Sequence, residues 1–112
     1  MPVPPVSKEP EIALVRWGIL MLPGGQMYLS GLRQDREAKG RTTTALVSID
    51  AAAGAAETES GRRYRLVGPP DDGTALEVAC MSWGRIQAAY AQPMTAEEAE
   101  LMLEGSPSSF VM

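Results

Sequence analysis

From Glu11 to Val67, apart from turns and one charged run, the chain alternates apolar and polar positions with period two or runs apolar on both faces, and beyond Pro70 the spacing becomes helical. From Glu11 to Leu22 the apolar residues Ile12, Leu14, Val15, Trp17, Ile19, Leu20 and Met21 occupy both faces, which predicts a central strand. Pro23-Gly24-Gly25 supplies turn chemistry, because proline presets φ and glycine accepts positive φ. A return strand runs from Gln26 to Leu32, with Gly31 marking a bulge or a bend. Gln34 to Arg41 is the most charged run in the chain and reads as a solvated loop. Thr42 to Asp50 is a further strand with Thr43, Ala45, Val47 and Ile49 on one face.

A hairpin over residues 55–67, stopped by Pro69-Pro70, is the most readable stretch. Closing it on Ser60-Gly61 alone would set Glu57 opposite Tyr64 and leave a carboxylate on the apolar face. A three-residue loop, Glu59-Ser60-Gly61, places Gly61 at the left-handed position and pairs Ala56 with Tyr64, Thr58 with Arg62 and Glu57 with Arg63. A one-residue slip exchanges the two faces, and burying Leu66 is worth about 1.5–3 kcal/mol. Cross-strand ion pairs contribute only ~0.2–1 kcal/mol. Burial therefore selects the second register, with Tyr64 and Leu66 inward and Arg63 and Arg65 in water.

These segments make about five strands in a row with no helix between them, which predicts an antiparallel meander able to curl into a partial barrel. Its apolar face needs a cover. Asp71-Asp72-Gly73 offers capping carboxylates, and Thr74 to Tyr90 places Leu76, Cys80, Trp83, Ile86 or Gln87, and Tyr90 near one helical stripe. Gly84 weakens the middle of that helix, where it could allow close approach to the sheet, and Gln92-Pro93 ends it. Thr95 and Glu98 have capping-box spacing and open a short helix to Glu104, stopped by Gly105. The expected architecture is an α+β domain over residues 11–105, its sheet covered by one or two C-terminal helices. It is flanked by a proline-rich arm (1–10) and a tail (106–112). Trp17, Ile19, Tyr64, Leu66, Leu76 and Trp83 are its expected common core.

Composition narrows the chemistry. Length is that of one ordinary domain, and 45% hydrophobic residues are enough for a core. The net charge of −4 weighs against direct nucleic-acid binding through phosphates. One cysteine, Cys80, forms no internal disulfide and fits a reducing, cytoplasmic setting, and the apolar run 17–22 is too short to cross a bilayer. Histidine is absent, which removes the usual general base, serine–histidine triads and histidine metal sites. No nucleotide fingerprint, zinc spacing or calcium loop is present. The sequence therefore nominates no catalytic residue, metal or cofactor.

Two classes of function remain. The first is a non-enzymatic module that binds a larger protein. Small inhibitors, immunity proteins and phage- or mobile-element-encoded anti-defence factors of the anti-CRISPR kind fit that description. Its candidate contacts are Asp35, Arg36 and Glu37 in the charged run and Glu97, Glu100 and Glu104, which share a helix face at i, i+3 and i+7. A homodimer is also open. The second is a barrel binding a small anion or nucleotide derivative through Arg62, Arg63, Tyr64 and Arg65, since arginine grips oxyanions bidentately. The expected register divides those four between two faces.

Overall fold

The computed structural model of the protein describes residues 11–104, without the side chains of residues 36–38 and 104. The expected arm, tail and Gly105 stop lie outside the described residues. Six strands are present among them: β1 (Glu11–Met21), β2 (Met27–Arg33), β3 (Arg36–Asp50), β4 (Ala55–Thr58), β5 (Arg63–Val67) and β6 (Gln92–Met94). Three helices accompany them: α1 (Asp72–Trp83), α2 (Arg85–Ala88) and α3 (Ala96–Glu104).

The first five strands close into a barrel in sequence order, β5 returning to pair with β1. The meander is not purely antiparallel: β1 and β5 run parallel, from Glu11 opposite Arg63 to Val15 opposite Val67. Parity requires this. Four antiparallel steps leave the fifth strand pointing the same way as the first, so a five-stranded meander can close only through one parallel pair. β6, read from sequence as a helix stop, instead pairs antiparallel with Ile19–Met21 of β1.

β1 serves three partner strands, and a bulge lets it do so. Its register against β2 shifts between Val15 and Gly18, and Arg16 takes the left-handed conformation at φ 49°. The extra residue lets Ile12 and Leu14 before it and Trp17 and Ile19 after it all join the buried cluster. Gly31 lies opposite the bulge, where a Cβ would meet the Trp17 Cα at 2.9 Å, which accounts for a glycine in mid-strand.

The hairpin has the expected register, Ala56 opposite Tyr64 and Glu57 opposite Arg63, with the Thr58 N–H bonded to the Arg62 carbonyl. Gly61 has φ 86°. Tyr64 is buried and Leu66 half-buried against the same core, while Arg63 and Arg65 are exposed. The charged run is not a loop. β2 turns tightly at Gln34-Asp35, and β3 begins at Arg36 and continues for 15 residues. A register shift between Leu46 and Ser48 then breaks the alternation, so Leu46 and Ile49 are buried and Val47, expected inside, is 53% exposed.

The helices cover two regions of the barrel. α1 lies on the wall formed by β1, β2 and β3 through Ala75, Val78 and Ala79, rather than through the expected Leu76–Cys80–Trp83 stripe. The seat explains the rotation. Gly18 and Gly40 face the helix, and a Cβ at either would come within 2.7 Å of Ala75 Cβ or 2.8 Å of Val78 Cγ1. Small residues on both sides bring backbone close to backbone, and the Ser30 hydroxyl donates to the Ala75 carbonyl at 2.8 Å. Leu76, Cys80 and Trp83 are half-buried at the margin, Trp83 edge-on to Tyr28 with ring centroids 5.2 Å apart. Gly84, at φ 90°, ends α1 instead of packing on the sheet. Ile86 and Tyr90 consequently point to solvent. α3 adds Ala96 and Ala99 to the barrel core. Its capping box is as expected: Thr95 Oγ1 accepts from the Glu98 N–H and Glu98 Oε1 accepts from the Thr95 N–H.

Two glycines test this architecture by different mechanisms. Gly18→Ala is expected to destabilise by about 1–3 kcal/mol through overpacking against α1. Gly61→Ala meets no atom within 4 Å and is expected to cost ~1–2 kcal/mol from conformation alone. Denaturant midpoints should show Asn partly restoring position 61, where it tolerates positive φ, and worsening position 18.

Candidate functional site

One barrel end gathers the start of β1, the β2–β3 turn, the end of β4 and the start of β5. Its inner lining is polar. Thr58, Arg62 and Arg33 are buried, and Tyr64 is 2% exposed with its ring directed into the core. Arg33 grips Asp35 with two parallel hydrogen bonds, Nε to Oδ1 at 3.1 Å and Nη2 to Oδ2 at 3.0 Å. Such a fork fixes the β2–β3 turn.

Arg41 is placed differently. It sits on β3 opposite Gly31, half-buried, and donates from Nε to the Tyr64 hydroxyl at 2.9 Å. Its guanidinium carbon lies 5.8 Å from the centre of the Tyr64 ring, within cation–π range. No carboxylate pairs with Arg41 among the described residues. Beside the mouth, a recess of about 250 Å³ is lined by Glu11, Arg33, Asp35 and Arg65 among others. Its two cationic and two anionic side chains cancel, so it selects neither sign.

The helical half has a different character. From Asp71 to Glu104 seven acidic residues stand against one basic residue, Arg85, whereas residues 11–70 carry eight basic and six acidic. The same half exposes large apolar side chains: Met81, Ile86 and Tyr90 around the α1–α2 break are 77%, 81% and 65% exposed, and Leu101 on α3 is 70% exposed.

The residues nominated from sequence are distributed unevenly. Of the ligand set, Tyr64 and Arg62 line the barrel's inner face, while Arg63 and Arg65 face outward. Of the contact set, Asp35 is committed to Arg33, and Arg36 and Glu37 lie on β3 with side chains outside the described set. Glu97 is exposed on α3, but Glu100 is half-buried and accepts from the Ala51 N–H at 3.3 Å, tying α3 to the β3–β4 turn. Glu104 ends α3, its side chain likewise undescribed. Arg41 and the Met81–Ile86–Tyr90 group were not singled out. The sequence signal for Arg41 is its parity with Thr43 and Ala45, which continues the inner face of β3 by one residue pair. The apolar group carries no such signal, because Ile86 and Tyr90 fall on the helical stripe that reads as core and Met81 lies off it.

The junction between the two halves is held by Asp71. Its carboxylate caps α1 through the Thr74 N–H at 3.1 Å and the Thr74 hydroxyl at 2.9 Å, and its own N–H bonds to the Trp17 carbonyl at 2.8 Å. The Thr74 N–H, then the Thr74 hydroxyl, with help from the Arg16 charge and the Gly73 N–H, hold the Asp71 carboxyl below its ordinary value of 3.8. A depressed carboxylate stabilises the fold above its unfolded-state value and loses that contribution as pH falls through the folded-state value. NMR titration should place Asp71 below 3.8. Asp71→Asn, which keeps an N-cap acceptor, should flatten the acid limb of the stability curve; an unchanged limb would show the cap does not titrate with folding.

Among the described residues, no three acidic or cysteine side chains cluster as a metal site, and no helix is long and apolar enough to cross a membrane. No family model, curated protein or solved structure matches the chain, so its function has to be argued from these residues alone.

Proposed function

We propose that this protein is a non-catalytic module that docks on a larger protein, and that the α1–α2 corner is its docking surface. The observation that carries this reading is the exposure of Met81, Ile86 and Tyr90 within one short stretch of chain. Large aromatic and aliphatic side chains left in water beside a helix break are the usual anchors of an interface, with tyrosine enriched among them. The surrounding charge defines the partner. With a net charge of −6 from Asp71 to Glu104, the helical half favours a partner surface that offers an apolar recess rimmed by lysine and arginine. Blocking such a surface is what an inhibitor does, and a free cysteine suits action in a reducing cytoplasm.

The test is a paired variant, Ile86→Asp with Tyr90→Asp. Both side chains are exposed, so stability should change by no more than ~0.5 kcal/mol for each. A protein captured from lysate by the wild-type chain should bind the double variant at least about tenfold more weakly. Its association with the wild type should slow as salt rises past ~0.15 M. Equal binding by the double variant would overturn this reading. So would light scattering that shows the corner occupied by a second copy of the chain, or turnover of a substrate by the purified protein.

A further inference from the structure

The mouth of the barrel carries an arrangement that protein docking does not use. Tyr64 is 2% exposed, and its hydroxyl accepts a hydrogen bond from Arg41 Nε. That hydroxyl also has a proton to donate, and among the described residues no acceptor takes it. Arg41 likewise has no acceptor for its two Nη groups among those residues, and no carboxylate pairs with it. A buried hydroxyl and a half-buried guanidinium, locked together by their one mutual bond, thus leave the Tyr64 O–H and the Arg41 Nη groups as donors with no acceptor among the described residues. Leaving such donors unmet costs free energy, and a ligand made only of acceptors relieves it. The Nε–hydroxyl bond and the 5.8 Å approach of the guanidinium carbon to the ring hold the head group of Arg41 beside Tyr64 before anything binds. Arg62 and Thr58 are buried on the same inner face, so the lining around the pair is polar.

We propose that Arg41 and Tyr64 form a binding site for a small oxyanion, the Nη edge of Arg41 and the Tyr64 O–H donating to its oxygens. The chemistry recognised is the one shared by phosphate and carboxylate groups. Binding here is independent of the α1–α2 corner and stands or falls without it.

Isotope-labelled full-length protein should be titrated separately with inorganic phosphate and with sodium acetate, each against sodium chloride at matched ionic strength. The Arg41 Nε–H resonance is followed by NMR. The expected result is a saturable shift of that resonance with at least one of the two anions and none with chloride. A preference for phosphate would identify a phosphoryl ligand, and a preference for acetate a carboxylate ligand. Arg41→Lys keeps the charge but removes the planar fork, and should weaken the anion by about tenfold or more. Its binding is followed by the shift in melting temperature. Tyr64→Phe keeps the ring and removes the O–H, and should weaken binding several-fold. Arg63→Lys, on the outer face, should leave it unchanged. Absence of saturation with both anions would overturn the proposal, as would equal weakening by Arg41→Lys and Arg63→Lys. If Tyr64→Phe proves unfolded by its spectrum, the comparison of the two arginine variants decides alone.

Discussion

Everything in this fold depends on how β1 satisfies both of its edges. A strand at the edge of an open sheet leaves a row of unpaired backbone groups, and barrel closure removes that liability. β1 pairs with β2 along most of its length. On its other edge it pairs with β5 as far as Val15 and with β6 from Ile19 onward. The change of partner coincides with the Arg16 bulge, a feature that bends a strand and increases its local twist. The bulge also anchors the segment after β5: the Trp17 indole donates to the Gly68 carbonyl at 3.0 Å, and the Trp17 carbonyl receives the Asp71 N–H that opens α1. One irregular residue pair thus sets barrel closure, the inward face of β1 and the entry of the first helix.

The close seating of α1 obeys the same logic of small contacts. Gly18, Gly40 and Ser30 flatten the barrel wall, and Ala75 and Ala79 flatten the helix. With backbone so near backbone, the large side chains of α1 cannot lie beneath it and are pushed to its margins or into water. Exposure of Met81 is therefore a consequence of packing, and the left-handed Gly84 turns Ile86 and Tyr90 outward in addition. The apolar corner and the tight helix seat are two results of one choice of residue size.

Charge divides along the same line. Residues 11–70 carry a small excess of arginine and lysine, and the helical segment, with half of the acidic residues and one arginine, has a net charge of −6. An overall charge of −4 conceals this uneven distribution along the chain. The two proposed sites differ accordingly, apolar and acidic at the α1–α2 corner and donor-rich at Arg41 and Tyr64.

Local rules made part of this protein legible from its residues. The Gly61 hairpin and its register, the Thr95–Glu98 capping box, the Asp71 cap, the Pro23-Gly24-Gly25 turn and the central position of β1 each arise from contacts within a few residues or from the strong preference of one burial face. Among the nominated site residues, Tyr64 and Arg62 were placed on one face by that same register. The residues could not reveal whatever depended on distant partners. A charged run reads as a loop until β2 is there to pair with it, and a bulge at Val47 is invisible because only the neighbouring strand makes one residue supernumerary. The face that α1 buries was decided by glycines on two different strands acting together, and Arg41 became a candidate only when closure brought it to Tyr64, 23 residues away. Propensity and capping are properties of short segments. Register shifts, helix rotation and the meeting of Arg41 with Tyr64 are properties of the closed barrel, because only closure determines which atoms share a face.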